Sequence, residues 1–527
     1  MSDRQIKITL LPLDRVLHVP AGTPLQDVLF EQGLEFPCGG KGSCKKCRVK
    51  VLAGELPPLP QERHVLGESL IGAGWRLACL ARAENDVTLE LGAWDPHILS
   101  DETSVEVLPR EGLGVAIDLG TTTLVAQLLD RTTGRVLAVR TALNPQARHG
   151  ADIMSRVNYA LQPGGGAELT GLIRERLGAM ILQLLKLAAT GAGHVAETTA
   201  DADESEDGHA VDAAHVREVV ITGNTVMHHL FCGFDLEPLS HTPFESLTAG
   251  EQDFSAERLG WHFLPRAHVR FLPSLGSFVG SDILAGILAT RMHTSERVHV
   301  LIDLGTNGEM VVGNRTGLLC ASTAAGPAFE GAKITMGMRA ETGAINRVAT
   351  NGNGLHCSVI GNRLPPRGLC GSGLVDAVAV GLETDQIGFN GRLRSGTELP
   401  LLEPVALFQC DIRELQLAKG AIAAGVELLL KTFGAEPADV ERVYLCGAFG
   451  NYIQAANAIR IGLLNFPLEK IHAAGNTSLL GAKLALLTEL GDAATMRQIL
   501  SLTRHLSLNE DERFLDIYVD HMQFPKS

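Results

Sequence analysis

Two spacings of apolar residues divide the chain into regions of different design. Near the amino end, short alternating stretches predict strands Ile6–Leu10 and Arg15–Val19, a helix Leu25–Gln32, a strand Cys47–Leu52, a helix Glu62–Ile71 and a closing strand Val87–Leu91. Past Gly112 continuous apolar runs take over, as in buried strands. Val115-Ala-Ile-Asp118-Leu-Gly-Thr-Thr-Thr123 is one, and Val300-Leu-Ile-Asp303-Leu-Gly-Thr-Asn-Gly308 repeats it. Each leads into a second strand, Leu124–Asp130 or Glu309–Gly313, and a third, Arg135–Thr141 or Gly317–Ala321. A strand closed by glycine also occurs twice, as Val216–Thr222 before Gly223-Asn224 and as Val440–Cys446 before Gly447. Two units of one design imply two lobes of related fold.

Between the repeats, Leu169, Leu172, Ile173, Leu177, Met180, Ile181, Leu184 and Leu185 step by three and four, predicting a helix over 169–188 packed on a core. Gly164–Gly166 reads as the turn before it. The polar stretch 96–112 has neither period and reads as a linker. The acidic tract 197–212 lacks order-promoting residues and is expected to be a solvated, flexible loop, not a metal site. The domain expectation is therefore a unit over 1–95, a linker over 96–112, and a two-lobed unit over 113–527, with lobes at about 113–290 and about 291–500.

With 527 residues, 45% of them hydrophobic, the chain can bury several cores. Its 45 Lys and Arg against 60 Asp and Glu give a net charge of −15, which argues against a nucleic-acid partner. Met1–Arg15 lacks a charged-then-apolar signal pattern, and no apolar run approaches the roughly 18 residues that would span a membrane. A cytoplasmic location is the expectation. Cys232, Cys320, Cys357, Cys370, Cys410 and Cys446 are scattered without paired spacing, as buried thiols in a reducing compartment would be.

The remaining cysteines are patterned. Cys38, Cys44, Cys47 and Cys79 follow C-x5-C-x2-C with one more after x31, which matches a cradle for a [2Fe–2S] cluster. Gly39, Gly40 and Gly42 let backbone amides turn toward cluster sulfides, and Lys41, Lys45, Lys46 and Arg48 would offset the charge of a thiolate-ligated centre. Four cysteines would also hold zinc, but zinc sites usually arrive as two short Cys-x2-Cys pairs and only Cys44 and Cys47 make one. A Rieske-type centre needs two histidines, and His64 alone lies between Cys38 and Cys79. Spacing and element order resemble the β-grasp ferredoxins of the adrenodoxin-like branch.

The repeated loops suit phosphate. Gly120 and Gly305 remove side chains so that amides can approach anionic oxygens, and Thr121, Thr122, Thr123 and Thr306 add hydroxyl donors. Asp118 and Asp303, at strand ends, are suited to a hydrated Mg²⁺, which prefers one or two carboxylates with phosphate oxygens and water. His228 and His229 sit on opposite helix flanks and are not placed to chelate one metal. Gly368-Leu-Cys-Gly371-Ser-Gly373 opens a helix Leu374–Leu382 and is either a simple cap or an approach to a ligand.

The larger region resembles the actin, sugar-kinase and heat-shock-chaperone ATPases, a two-lobed, ribonuclease H-like fold. The resemblance implies ATP and Mg²⁺ as ligands. Asp118–Thr123 forms the first phosphate segment, and Asp303, Gly305, Thr306, Asn307, Gly308 and Glu309 the second. Gly447 and Gly450 border adenosine, with connecting helices at Gly280–Gly286 and Gly475–Ala482. Catalytic roles fall to Asp118, Asp303 and Glu309, with Asp282 and Glu330 as further candidates to orient water. A ferredoxin unit fused to this ATPase resembles the reductive activators of corrinoid proteins, together with Asn144-Pro-Gln146, Gly150-Ala-Asp152 and Gly326-Pro-Ala-Phe-Glu330-Gly. The interval from Cys79 to Asp118 is too short for the additional small domain that some members carry. Members pass one electron to a cobalamin stranded as Co(II), restoring Co(I) for methyl transfer. The implied partners are a corrinoid protein, a ferredoxin or flavoprotein donor, and a second copy in a homodimer. A redox-regulated small-molecule kinase, an activator of radical dehydratases and a non-catalytic nucleotide-binding protein are the alternatives.

Overall fold

In the computed structural model the described residues are 4–11, 15–31, 42, 47–90, 103, 105–150, 152–190, 212–242, 244–305, 307–325, 328–331, 333–350, 354–361 and 365–526. Cys38, Cys44, Thr306, the lysines of the cysteine loop and 197–211 of the acidic tract lie outside them.

Alternation along Gln5–Leu11 sends Ile6, Ile8 and Leu10 inward, and these residues seed the first core. Gln5–Leu11 pairs antiparallel with Arg15–Pro20 and parallel with Val87–Glu90, which continues through Arg48–Gly54 to Trp75–Leu77 as a five-stranded sheet. Helix Leu25–Glu31 inserts Leu25 and Leu29 beneath it. The single helix expected over 62–71 is instead two, Pro60–Leu66 and Glu68–Gly72. Gly67 between them has φ +81°, a left-handed turn that ends the first helix.

The two larger sheets repeat one topology. In the first, Val136–Leu143, Thr123–Asp130 and Leu113–Leu119 run as an antiparallel meander, and Val216–Gly223 adds parallel to the innermost strand. In the second, Gly317–Thr323, Gly308–Asn314 and Val298–Leu304 form the same meander, with Val440–Cys446 added parallel. The strands are buried on both faces, as their unbroken apolar runs predict. The second sheet gains an edge strand from Thr503–His505, so this lobe runs past residue 500.

Helices Ser281–Thr290 and Thr477–Leu487 cross between the sheets and share a core with both, through Ala116, Ile283, Leu301 and Ala482. The crossing is close because Gly481 lies against Ala285, where a Cβ would strike its backbone. The stretch read as a linker is anchored on this assembly. Lys483 Nζ donates to the Thr103 carbonyl at 2.5 Å, Leu108 N donates to the Leu487 carbonyl at 2.8 Å, and Val105 and Val107 pack on the shared core. Among the described residues no helix is long and apolar enough to cross a membrane.

Candidate functional site

The repeated strands end at one cleft, where a 280 Å³ cavity is lined by Asp118, Gly120, Thr121, Thr122 and Thr123 from one lobe and by Asp303, Gly305, Asn307, Glu309 and Gly447 from the other. Sequence spacing had set these residues far apart, and the duplicated topology brings them together. Gly308 and Gly450 are not in the lining. Gly308 backs onto Ile422 and Gly450 onto the Leu445 backbone, so both are packing positions.

Five carboxylates line the cavity: Glu330, and an interacting set of Asp118, Asp282, Asp303 and Glu309. Asp303 and Glu309 are direct partners across the antiparallel pair, so their side chains share a face. Asp282 enters from the first turn of helix Ser281–Thr290 and Asp118 from the opposite strand. Burial pushes Asp303 up to about 7, helped by the charge of Asp118. Burial, then Asp303 and Asp118, pushes Asp282 up to about 8. Glu309 is raised well above its ordinary value, by burial and then by Asp282 and Asp303. Asp118 is raised by burial, against two hydrogen bonds that favour its charge: Ser478 Oγ donates to Oδ1 at 2.8 Å and Asn476 Nδ2 to Oδ2 at 2.9 Å. Uncompensated carboxylates with raised pKa values fit a cation. Among the described residues no three acidic, histidine or cysteine side chains form a ready-made metal cage, so Mg²⁺ would be held largely through water and phosphate.

The first phosphate loop is braced from behind. Asn144 Nδ2 donates to the Gly120 carbonyl at 2.9 Å, Asn144 N donates to the Thr122 carbonyl at 2.9 Å, and Arg156 donates to the Thr121 carbonyl. With its carbonyls held away from the cleft, the loop can turn amides toward an anion. Asn224 Nδ2 donates to Thr121 Oγ1 at 2.7 Å. In the other lobe Gly447 has φ +78° and lies against Asp303, so that a Cβ there would sit 2.7 Å from Oδ1. Phe329 and Phe449 stack with centroids 4.8 Å apart and line the cavity with Gly371 and Ser372, an apolar wall suited to a base. The glycine loop at 368–373 therefore approaches the cleft.

Sequence reasoning did not assign Asn224, Asn476, Ser478, Phe329 or Phe449. The asparagines had a signal, since each follows a strand-closing glycine and caps the next helix. Phe329 and Phe449 stand within segments singled out in the sequence, 326–331 and 443–451, but nothing there pairs them, because they meet only through the tertiary fold.

In the small unit Cys47 and Cys79 bring their sulfurs to 3.3 Å, beyond a disulfide bond and convergent on one point at the edge of the core. That pair suits thiolate ligation of a shared centre. His228 and His229 are buried, and burial drives His228 down to about 3, so the pair belongs to the core.

Residues 8–84 match the 2Fe-2S iron-sulfur cluster binding domain, 113–205 and 202–295 the RACo middle region, and 297–527 the C-terminal domain of RACo, the ASKHA domain. The corrinoid activation enzyme RamQ of Eubacterium limosum is 33% identical over 443 residues, covering 78% of this chain and 70% of the relative. The [Co(II) methylated amine-specific corrinoid protein] reductase of Methanosarcina barkeri is 26% identical over 444 residues, covering 78% and 77%. A solved structure titled reductive activator for corrinoid,iron-sulfur protein superposes with TM-score 0.67 at 26% identity, covering 99% of this chain and 98% of its own. With a cluster unit, a duplicated cleft and these matches in one order, the chain belongs to the family of reductive activators of corrinoid proteins.

Proposed function

We propose that this protein is an ATP-dependent reductive activator that delivers one electron from its [2Fe–2S] cluster to a corrinoid protein, converting Co(II) to Co(I). The observation that carries this function is the joining, in one chain, of the converging Cys47 and Cys79 sulfurs with a cleft of five carboxylates between duplicated loops. Cys38 and Cys44 would complete the ligand set, and the cluster supplies a one-electron donor near −400 mV, roughly the plant-type value. Reduction of a Co(II) corrinoid lies lower still. Each ~59 mV of deficit disfavours a one-electron product tenfold.

Nucleotide can offset that deficit only through differential affinity. In this scheme the activator prefers its partner in the Co(II) form, and movement of the lobes about helices Ser281–Thr290 and Thr477–Leu487 changes the preference after transfer. Asp118 and Asp303 position Mg²⁺ through water. The amides of Thr121–Thr123 and, across the cleft, Asn307 would receive the distal phosphates, while the Gly120 and Gly305 amides stay within their own turns on the Thr123 and Asn307 carbonyls. Glu309, beside Asp303, takes the proton of the attacking water, with Asp282 and Glu330 as the other acids within the cavity. A reduced ferredoxin or flavoprotein is the donor, drawn to the basic loop around the cysteines, and the protein works as a homodimer.

The test mixes reduced protein with a Co(II) corrinoid protein and follows Co(I) absorption with and without ATP. Co(I) formed only with ATP is expected. Equal yield without nucleotide, or none with it, refutes the scheme.

A further inference from the structure

One six-residue segment touches both halves of the machine. Leu143–Arg148 leaves the last strand of the first meander and turns into a short 3-10 helix, Pro145–Arg148, capped by Asn144. On its inner side, Asn144 holds the carbonyls of Gly120 and Thr122. Gln146 is fixed by donating to the Leu169 carbonyl at 3.0 Å and by accepting from Arg156, which also holds Thr121. Asn144, Gln146 and Arg156 are each 0% exposed. On its outer side, Leu143 and Ala147 pack against the core of the cysteine-bearing unit, and Gln26 Nε2 donates to the Arg148 carbonyl at 3.4 Å. Gln26 lies in the first turn of helix Leu25–Glu31, which leads directly into the Cys38 loop.

We propose that Leu143–Arg148 is a coupling strap, through which phosphate in the first loop and the oxidation state of the cluster each alter the affinity or potential of the other. A phosphate drawn onto the amides of Thr121–Thr123 pulls on carbonyls tied to Asn144, and the strap cannot follow without shifting Leu143 and Ala147 on the core beneath helix Leu25–Glu31. A change at the cluster, felt at Cys47 in the core that it shares with Leu25 and Leu29, acts in reverse along the same contacts. Linkage makes the two effects one factor, whichever end is perturbed. The inference rests on the function proposed above, and its test needs no corrinoid. Failure of corrinoid reduction therefore leaves the coupling result standing, and absence of coupling leaves the reduction assay standing.

The full-length protein with its cluster is titrated with a non-hydrolysable ATP analogue and Mg²⁺, once oxidised and once reduced, and the cluster midpoint potential is measured with and without the analogue. In the native protein the two affinities should differ by at least about fivefold, and the potential should move by the matching ~41 mV at ~59 mV per tenfold. Ala147→Asp places a charge in the apolar seam and should bring both effects to within about twofold of none, with nucleotide still bound and the cluster still present. Gln26→Ala, a half-exposed position that leaves both cores intact, should reduce the factor in the same direction. Equal affinities in the two redox states of the native protein overturn the proposal. So does a coupling factor unchanged in both variants.

Discussion

If the carboxylate cluster holds Mg²⁺ as proposed, its affinity for the cation should be steeply pH-dependent. Burial and mutual repulsion place Asp303 at about 7 and Asp282 at about 8, with Glu309 well raised. At pH 7 the first is then half protonated and the second about nine-tenths, so these two hold about 1.4 protons, and Glu309 is shifted in the same direction. A cation that requires them ionised must expel those protons. For Asp303 and Asp282 alone, affinity should rise between pH 6 and pH 8 by about 1.0 and about 1.7 log units, about 500-fold together. Folding has the opposite sign. A folded pKa above the unfolded one gives stability that is complete below about pH 4 and lost as pH rises through 7 and 8, so the metal-free protein weakens over that window and Mg²⁺ should restore it. Titration calorimetry with Mg²⁺ alone, in two buffers of different ionisation enthalpy, reads the protons released. Asp282→Asn should remove about one of them and cut the pH 6 to 8 change to about tenfold. Binding with no proton release, or a pH slope untouched by Asp282→Asn, would refute the assignment of these groups to one cation site.

Four further outcomes follow from local geometry. Cys79→Ser should abolish the cluster, leaving iron well below about two per chain, while nucleotide affinity stays within about twofold by fluorescence titration. Gly447→Ala forces a side chain into a left-handed position 2.7 Å from Asp303 Oδ1, which should weaken nucleotide binding at least about tenfold, the equivalent of ~1.4 kcal/mol. Glu218 is buried between Arg131 and Arg270, each at 3.0 Å; Glu218→Ala should deprive Arg131 of this carboxylate, while Arg270 keeps Glu251 at 2.6 Å, and should lower stability by about 3–5 kcal/mol, read as a shifted denaturant midpoint. Lys483→Met removes the charged donor to the Thr103 carbonyl, worth about 1.5–3 kcal/mol, and should speed tryptic cleavage at Arg110 at least tenfold.

The two-lobed architecture was legible because it is written twice. Val115–Thr123 and Val300–Gly308 share both the buried run and the Asp-Leu-Gly-Thr turn, and each fixes a hairpin whose neighbours follow by pairing. Boundaries failed where one residue overrides a period. Gly67 splits a continuous helical pattern, since the spacing of Glu62, Leu66, Leu70 and Ile71 says nothing of the φ at position 67. The anchored path of Thr103–Gly112 was hidden for another reason. Its anchors at Lys483 and Leu487 lie some 380 residues away in sequence, and the short alternation of Val105 and Val107 does not say which core it meets. The pairing of Phe329 with Phe449 was likewise invisible, since both are ordinary aromatics until the lobe folds around them.

Duplication accounts for the paired loops but not for their different surroundings. Asp118 is tied down by Asn476 and Ser478 at the start of helix Thr477–Leu487, and the carbonyls around it are held by Asn144 and Arg156. Asp303 instead faces Glu309 and Asp282 and is crowded by Gly447. The first loop is thus shaped by neutral donors and a buried arginine, the second by acids that cannot all ionise together. A bound anion answers to the first set and a bound cation to the second. The helix that grips Asp118 also anchors the inter-unit segment through Lys483 and Leu487. Under the proposed function a nucleotide with its metal would have to satisfy two unlike half-sites at once, and closing them would move helix Thr477–Leu487 relative to helix Ser281–Thr290, the two elements through which the lobes share their common core.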